Sequence, residues 1–385
     1  MNFDFDTLVN RNDSSLVEQF MDPAVRAHGG VSFNGAEPLY KTAPAIRNAL
    51  IAMAENGRIG FTLMDDRYRN AVIWWMENVR GFKCSPDWIV PTLGTIHSVA
   101  TAIKLLTVER ESIIITSPMY NRYEQAARRL ERNAVKCPLA LSNGRYRMDF
   151  DAIDKAMSRT DTKLFILCNP HNPIGQIYGR EELETLAELS QKHGMVVFSD
   201  EIFAENSLFG NKTESFLTVP KAETNCIVAT SMGKAFGTTG FNHANMIIPD
   251  KRLREAFEDR RTREHYGSMD PVAYECLLAG YSQQGKDWID ASNKVLEANI
   301  EAVLSFFAEN LPDVPVYGGD GGYILWADWR SRFQDEEALF DFLHHKAFLN
   351  VDAGSHYYSP IFTRFSLACP TRCVRSSLED LFAAI

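Results

Sequence analysis

The length and charge of the chain restrict its architecture and partners before any motif is considered. With 385 residues it exceeds one typical hydrophobic core, so we expect a large domain with a smaller companion. Hydrophobic residues make up 45% and charged residues 23%, as in ordinary globular proteins. The net charge of −10 favours solubility and argues against nucleic-acid and anionic-membrane partners.

The cysteines and the N-terminus predict a cytoplasmic protein. The seven cysteines are scattered without short paired spacings, which is typical of reduced thiols in a reducing compartment. Cys369 and Cys373 have no histidine or cysteine pair near enough in sequence to complete a metal site, so none is predicted. The first residues carry neither a basic nor an apolar segment, and no apolar run reaches membrane-spanning length.

The first part of the chain, residues 1–45, has no clear hydrophobic period and is interpreted as an arm that lies across the rest. Pro44 then opens a helical pattern that ends at Gly57, and a second helix is predicted from Asp66 towards Val79. From residue 88 onward, short apolar runs alternate with helical segments. The clearest runs lie at 112–116, 164–168, 195–198 and 226–229.

These apolar runs do not alternate in polarity, which indicates strands that are buried on both faces. The helices between them indicate parallel pairing, so the predicted fold class is α/β with a central, mostly parallel sheet flanked by helices. A long helix at about 288–310 then leads to strands at 322–326 and 363–367. We therefore predict an arm at 1–45, a large domain at 46–285 and a smaller α+β domain at 286–385.

Residues of complementary chemistry follow three of the predicted strands. The segment 169–175 (NPHNPIG) follows one, Asp200 ends the next, and Ser231 and Lys234 follow the third, while Arg364 lies in the C-terminal unit. Ligands of parallel sheets gather at the carboxyl ends of the strands. A buried lysine at such an end is costly unless it is paired or neutralised, and Schiff-base formation with an aldehyde cofactor is one chemistry that needs it there. Taken singly, each feature has a plain alternative: a turn, a helix-capping aspartate or a surface lysine.

Together these segments resemble the motifs of the fold type I pyridoxal phosphate enzymes, the aspartate aminotransferase superfamily with its class I and II aminotransferases. NPHNPIG, the segment 199–202 (SDEI) and the run FSLACP after Arg364 are most similar to the cystathionine β-lyase-like C–S lyase branch. The resemblance covers nearly the whole chain. It implies the fold of the pyridoxal phosphate-dependent transferases, with a large sheet of the seven-stranded type, and pyridoxal 5'-phosphate as the cofactor.

The resemblance implies a role for each residue at the reacting end of the cofactor. Lys234 would hold the cofactor as a Schiff base and, once released by the substrate amine, would take the Cα proton. Asp200 would pair with the protonated pyridine nitrogen, and Asn172 would donate to the phenolic oxygen. Tyr120 would stack on the ring, with a core aromatic as the alternative. Arg364 would bind the substrate α-carboxylate through both arms of its guanidinium group, with Asn172 beside it.

The resemblance also implies a phosphate site at a helix N-terminus, where backbone N–H groups and glycine permit close approach to an anion. A serine hydroxyl and one further side chain would complete it, although the histidine has a packing role as its alternative. The implied residues are Gly94, Thr95, Ile96, Ser231, and Asn242 or His243.

Three positions depart from the pattern of the family. Phe203 stands where the lyase branch has histidine and aminotransferases have tyrosine, so we expect the Schiff base of Lys234 to stay protonated to higher pH. Phe61 replaces a tyrosine that reaches the phosphate of the neighbouring subunit, and a phenylalanine cannot donate that hydrogen bond. Gly35 lies in the segment 34–38, which borders the substrate side chain and also differs from the lyase branch. Substrate identity therefore does not transfer.

The whole-chain resemblance favours a C–S β-lyase that converts an L-cysteine conjugate into pyruvate, ammonia and a thiol. An aminotransferase of an L-amino acid is the alternative, because both reactions begin with removal of the Cα proton by Lys234. A catalytically weak binding or regulatory protein of the same fold is a third hypothesis, which Phe61 and Phe203 support. The resemblance further implies a homodimer with shared active sites, and the apolar arm around Phe33 fits that expectation.

Overall fold

The computed structural model describes residues 3–9, 21–57, 59–264 and 268–385, and its named strands form two sheets. The α-helices within these ranges are α1 Pro23–His28, α2 Pro44–Asn56, α3 Asp66–Trp75, α4 Thr95–Leu106, α5 Arg122–Arg129, α6 Phe150–Met157, α7 Arg180–Lys192, α8 Met232–Phe236, α9 Lys251–Thr262, α10 Pro271–Gly280, α11 Gln283–Asn310, α12 Glu336–His345 and α13 Thr371–Ala384. The strands are β1 Ile89–Thr92, β2 Ser112–Ser117, β3 Asn133–Ser142, β4 Arg145–Met148, β5 Thr162–Cys168, β6 Val196–Asp200, β7 Cys226–Thr230, β8 Ala244–Ile247, β9 Val316–Gly318, β10 Ile324–Asp328, β11 Asp352–Ala353 and β12 Phe362–Ser366.

The larger sheet confirms the predicted α/β class. Its strands run in the order β1-β8-β7-β6-β5-β2-β3-β4, and the neighbours from β7 to β3 are parallel to one another. The end strand β4 and the penultimate strand β8 run antiparallel to their neighbours. Consecutive residues such as Ile113, Ile114 and Ile115 are fully buried. This burial on both sides explains why the strands read as unbroken apolar runs.

A hairpin between β3 and β4 brings the sheet to eight strands within the described residues. Asn143 and Gly144 form the loop with φ angles of 51° and 73°, and they join Ser142 to Arg145, which face each other across the two strands. A two-residue Asn-Gly loop with both φ angles positive matches the twist of a hairpin. The sequence contains this signal, but β4 alternates in burial and lacks the continuous apolar run that identifies the inner strands.

The smaller sheet is antiparallel, in the order β11-β12-β10-β9, and the 28-residue helix α11 packs against the cores of both sheets. Trp288 and Ile289 lie in the apolar cluster that contains residues of the large sheet, whereas Leu296 and Phe307 lie in the cluster of the small sheet. The domain boundary predicted at 285/286 falls in the first turn of this helix. Among the described residues, neither α11 nor any other helix combines the length and apolar character needed to cross a bilayer.

The N-terminal arm packs into the core of its own chain. Ser32 forms a β-bridge with Asn350, and the N–H of Leu39 donates to the carbonyl of Ala368 over 2.7 Å. Phe33 is 2% exposed and belongs to the apolar cluster of the small sheet. The ring of Phe33 is therefore buried within its own chain, and contact of the arm with a partner stays a prediction.

A buried ion-pair network fixes the turn that follows β6. Arg80 Nη2 lies 2.5 Å from Glu201 Oε2, and its Nη1 lies 3.7 Å from Glu205 Oε1, with all three side chains almost completely buried. Glu201 Oε1 also accepts hydrogen bonds from Ser215 Oγ and the N–H of Phe216. Because a buried carboxylate is tolerated only when it is paired, Arg80 holds in place the residue that directly follows Asp200.

Replacing Arg80 with methionine should lower the free energy of unfolding by about 3–5 kcal/mol, because two buried carboxylates lose their cation. The matched control is Arg332→Met, which removes the arginine of a partly exposed ion pair with Asp313. Urea denaturation followed by tryptophan fluorescence should show a lower midpoint for Arg80→Met and an unchanged midpoint for the control. Equal midpoints for the two variants would contradict the structural role of Arg80.

Candidate active site

One cavity of about 770 Å³ lies at the carboxyl ends of β5, β6 and β7 and collects nearly all of the predicted site residues. The predicted residues that line it are Gly35, Gly94, Thr95, Ile96, Tyr120, Asn172, Asp200, Phe203, Ser231, Lys234, Asn242, His243 and Arg364. Phe61 is completely exposed and does not line this cavity. Its contact with a neighbouring subunit stays a prediction.

Lys234 is presented by the short helix α8, which begins just after β7. Ser231 starts the turn, since its Oγ accepts a hydrogen bond of 3.1 Å from the N–H of Gly233. The Nζ of Lys234 donates to the carbonyl of Ala36 over 2.9 Å. Burial lowers the pKa of Lys234 to about 8, because removal from water penalises the charged form. A substantial fraction of neutral amine is therefore present slightly above neutral pH.

Asp200 ends β6 with its carboxylate in the cavity lining and is 2% exposed. Its Oδ1 accepts from the N–H of Ile202 over 3.2 Å, and its Oδ2 accepts from the hydroxyl of Tyr123 over 2.5 Å. Burial raises the pKa of Asp200 to about 6, while these hydrogen bonds act in the opposite direction. The carboxylate is therefore ionised at neutral pH and can pair with a cation.

Asn172 and Arg364 contact each other in the lining of the cavity. Arg364 Nη1 donates to Asn172 Oδ1 over 3.0 Å, and Arg364 is 3% exposed. Because the amide oxygen of Asn172 is used in this way, its Nδ2 is the atom that can donate to a ligand. The Nε of Arg364 is buried and has no hydrogen-bond partner among the described residues, so it can still bind an anion.

The helix α4 offers an anion site at its N-terminus. Gly94 precedes it with a φ of 111°, a conformation that only glycine adopts without strain. The N–H groups of the first turn have no acceptor four residues earlier in the helix, and Thr95 and Ile96 both line the cavity. Ser231 lines the same cavity. The arrangement matches what a phosphate group requires.

His243 belongs to a buried hydrogen-bonded chain at this anion site. Its Nε2 lies 2.5 Å from the hydroxyl of Tyr68, which is 2.7 Å from Asn245 Oδ1. Burial lowers the pKa of His243 to about 4, so the ring is neutral. His243 Nδ1 and Asn245 Nδ2 have no hydrogen-bond partners in the described residues. Turning the Asn245 amide by 180° lets Nδ2 donate to Tyr68, Tyr68 donate to Nε2, and Nδ1–H donate to a bound anion.

Phe203 occupies the position at which the family pattern has a hydrogen-bond donor, histidine or tyrosine. The ring is 2% exposed, and its centroid lies 5.4 Å from that of Tyr323 and 5.9 Å from Lys234 Nζ. It can exclude water from the lysine but cannot donate a hydrogen bond. The structure thus places Phe203, which departs from the family pattern, close to the amine of Lys234.

The sequence reasoning missed several residues of the cavity. Tyr123 lies in the first turn of α5 and its ring packs against that of Tyr120, which precedes the helix, with centroids 5.8 Å apart. Asp352 reaches Arg364 because these two residues face each other across β11 and β12. A two-residue strand has no hydrophobic pattern, so no sequence signal predicts that pairing.

Comparison with known proteins identifies the family. The family model described as "Aminotransferase class I and II" matches residues 30–379. The chain belongs to this family. The relationship inferred from the strand-end motifs is thereby confirmed.

Individual members of the family are similar to this chain over nearly their whole length. The chain is 28% identical over 349 residues to cystathionine beta-lyase PatB of Bacillus subtilis (strain 168), which covers 90% of each chain. It is 23% identical over 389 residues to protein MalY of Escherichia coli (strain K12), covering 100% of this chain and 99% of MalY. A crystal structure of cystalysin from Treponema denticola, which contains a pyridoxal 5'-phosphate cofactor, superimposes with a TM-score of 0.93 at 26% identity. That match covers 100% of this chain and 99% of cystalysin.

The residues of the cavity fit pyridoxal phosphate at each of its functional groups. An ionised, buried Asp200 suits a protonated ring nitrogen, and the amine of Lys234 suits an aldehyde. The N-terminus of α4 suits the phosphate, and the donor Nδ2 of Asn172 suits a phenolate oxygen. The partnerless nitrogen atoms of His243 and Arg364 are explained if an anion binds beside each of them.

Tyr123→Phe should raise the pH below which binding of the cofactor weakens. The Tyr123 hydroxyl lowers the pKa of Asp200 through its hydrogen bond, so its removal raises that pKa from about 6 and protonates the carboxylate at higher pH. A protonated Asp200 cannot pair with a cationic pyridine nitrogen. As the pH is lowered from 8 to 5, the dissociation constant of pyridoxal phosphate is measured by fluorescence. It should begin to rise at a higher pH in the variant than in the wild type. If binding weakens at the same pH in the variant and the wild type, the role of Tyr123 is contradicted.

Proposed function

We propose that this chain is a pyridoxal phosphate-dependent C–S β-lyase that acts on an L-cysteine conjugate. The overall reaction takes R–S–CH₂–CH(NH₃⁺)–COO⁻ and water to a thiol, pyruvate and ammonium. The Cβ–S bond breaks, the Cα proton is removed, and the nitrogen leaves on hydrolysis. The buried, unpaired thiols of this chain suit a reducing compartment, and we propose a cytoplasmic location.

The observation that carries this proposal is the convergence of Lys234, Asp200, Asn172 and Arg364 on one cavity. A base, a cation-binding carboxylate, a neutral donor and a carboxylate-binding cation are the groups that amino-acid chemistry with this cofactor requires. They come from the loop after β5, from β6, from α8 and from β12, which are segments far apart in sequence.

When bound, pyridoxal phosphate supplies an aldehyde that captures the substrate amine and a ring that accepts the electron pair released at Cα. Lys234 is the residue that takes the Cα proton, and its lowered pKa makes the neutral amine accessible near physiological pH. Phe203 and the surrounding apolar residues keep water away from this amine. The proton held by Lys234 is then available for the departing sulfur.

The remaining residues hold the reacting atoms in place. Asp200 keeps a proton on the ring nitrogen, and Tyr123 holds that carboxylate by its hydrogen bond of 2.5 Å. The first turn of α4 holds the phosphate, while Arg364 holds the α-carboxylate. With both ends fixed, the Cα–H bond is kept within reach of Lys234.

The choice of β-elimination over amino transfer is supported by similarity to PatB, which is named a cystathionine beta-lyase. The relative covers 90% of both chains, so the likeness includes both the large and the small sheet. An aminotransferase uses the same lysine and the same carboxylate-binding arginine, and the assay below distinguishes the two reactions.

We further propose that the chain forms a homodimer with shared active sites. The segment around Phe61 supports this, because Ile59, Phe61 and Leu63 are 70%, 101% and 69% exposed. An apolar cluster of this kind in one segment is typical of an interface. Thr62 of the same segment forms a β-bridge with Met269, which places the segment beside the N-terminus of α10.

The assay for the reaction incubates the cofactor-loaded protein with a panel of cysteine S-conjugates, including cystathionine, and no oxo acid. Pyruvate, ammonia and free thiol should appear in equal amounts over many turnovers. Lys234→Ala should abolish all three products, because the residue that moves the Cα proton is gone.

Two results would contradict the lyase proposal. A single conversion of the cofactor to its amine form, reversed by an oxo acid, would identify an aminotransferase. An unchanged cofactor spectrum with every amino acid tested would instead indicate a binding or regulatory protein.

The dimer proposal is tested with Phe61→Asp combined with Leu63→Asp. These charges should shift the protein to monomers in analytical ultracentrifugation, because they cannot be buried without partners. Val108→Asp is the matched control, since Val108 is 65% exposed and lies just before the amino end of the inner strand β2. A monomeric, fully active wild-type protein would overturn the proposal.

A further inference from the structure

A second carboxylate lies in the substrate end of the cavity and has no part in the mechanism described above. Asp352 lines the cavity, is 6% exposed and forms an ion pair with Arg364 Nη2 through its Oδ2. The same Oδ2 accepts from the hydroxyl of Tyr357 over 3.2 Å and from the N–H of Gly35 over 3.4 Å. Arg364 is therefore already paired with one carboxylate of the protein before any substrate binds.

The charge of Asp352 is held firmly in its ionised form. Burial alone would raise its pKa, but the pairing with Arg364, together with His356 and the N–H of Gly35, lowers the pKa below its ordinary value. His356 Nδ1 lies 3.7 Å from the Oδ1 of Asp352 on the outer side, where the histidine side chain is 61% exposed. Asp352 thus stands between a buried arginine and an exposed histidine.

Further residues of three segments line the cavity together with Asp352. The neighbouring residues Val351 and Ala353 line it, as do Phe340 and His344 of α12 and Asn34 of the arm. Burial lowers the pKa of His344, so this ring does not supply a cation there. A substrate that places its α-carboxylate on Arg364 therefore also lies close to the fixed negative charge of Asp352.

We propose that Asp352 is a specificity-determining residue that selects against amino-acid substrates with an acidic side chain. The inference rests on the proposed function, because it takes Arg364 as the group that binds the α-carboxylate. The α-carboxylate of the substrate binds Arg364, which already pairs with Asp352. A further carboxylate in the substrate side chain is repelled by Asp352 at short range in a poorly solvated site. The substrate class is accordingly narrowed to amino acids whose side chain is neutral or cationic.

Asp352 could instead only orient the guanidinium group of Arg364, and the two roles predict opposite effects. If Asp352 only orients Arg364, its neutralisation weakens the binding of every carboxylate. If Asp352 selects by charge, its neutralisation tightens the binding of dicarboxylates most. Asn at this position keeps the size of the side chain and an oxygen for the donors of Gly35 and Tyr357.

The experiment measures propionate and succinate binding to the protein as purified with its cofactor, by calorimetry, for wild type and Asp352→Asn. These probes share one carboxylate and differ in the second, and neither reacts. We expect Asp352→Asn to tighten succinate binding about tenfold more than propionate binding. Asp328→Asn serves as the control, because Asp328 pairs with Arg330 in the same small sheet but does not line the cavity. It should leave both dissociation constants unchanged.

His356→Gln gives a second test, since it should change the preference between succinate and propionate in the direction opposite to Asp352→Asn. The substituted side chain is largely exposed. Removing this histidine takes away a countercharge of Asp352, so discrimination against succinate should increase. Circular dichroism confirms that each variant is folded. If Asp352→Asn does not fold, the direction of the His356→Gln effect still decides the question.

An unchanged ratio of the two dissociation constants in Asp352→Asn, or equal weakening of both ligands, would overturn the proposal. So would a His356→Gln variant that binds succinate more tightly relative to propionate. These binding measurements need no turnover, whereas failure of the lyase proposal shows as absence of pyruvate and thiol. The two failures are therefore distinguishable.

Discussion

The structure of the site depends on the pairing of charges that have been removed from water. Asp200 and Arg364 are 2% and 3% exposed; Asp200 accepts a hydrogen bond from Tyr123, and Arg364 donates one to Asn172. An isolated charge at such depth would be neutralised or would destabilise the fold, and Arg364 is accordingly paired with Asp352. The lowered pKa of Lys234 and the raised pKa of Asp200 are two results of the same desolvation.

The same constraint operates on the other side of the large sheet. Asp200 and Glu201 are consecutive residues at the end of β6, and consecutive residues of a strand point to opposite faces. Asp200 lines the cavity, whereas Glu201 pairs with Arg80 in the core beneath it. The strand end that carries the cofactor-binding carboxylate is thus held by a second buried ion pair, which restricts how far Asp200 can move.

The two sheets divide the work of the site between them. The large sheet and the segments that follow its strands supply Lys234, Asp200 and the first turn of α4, which suit the cofactor. The small sheet supplies Arg364 and Asp352, the residues that we propose to face the substrate. Binding of cofactor and choice of substrate can therefore vary separately, and this explains how members of one family with a shared fold bear the names of different reactions.

The sequence alone determined the fold class, four of the five mutually parallel strands and most of the cavity, whereas β3 was not predicted. Strands buried on both faces read as apolar runs, and the carboxyl ends of parallel strands must meet at one edge, so Asn172, Asp200 and Lys234 could be placed together without coordinates. The sequence did not show that the ring of Phe33 is buried within its own chain, because an apolar residue has the same pattern whether it is buried by its own chain or by another. Only the tertiary structure decided that Tyr123 holds Asp200 and that Asp352 shares Arg364. Those contacts depend on helix rotation and strand register, which are fixed by packing between segments distant in sequence and leave no local pattern.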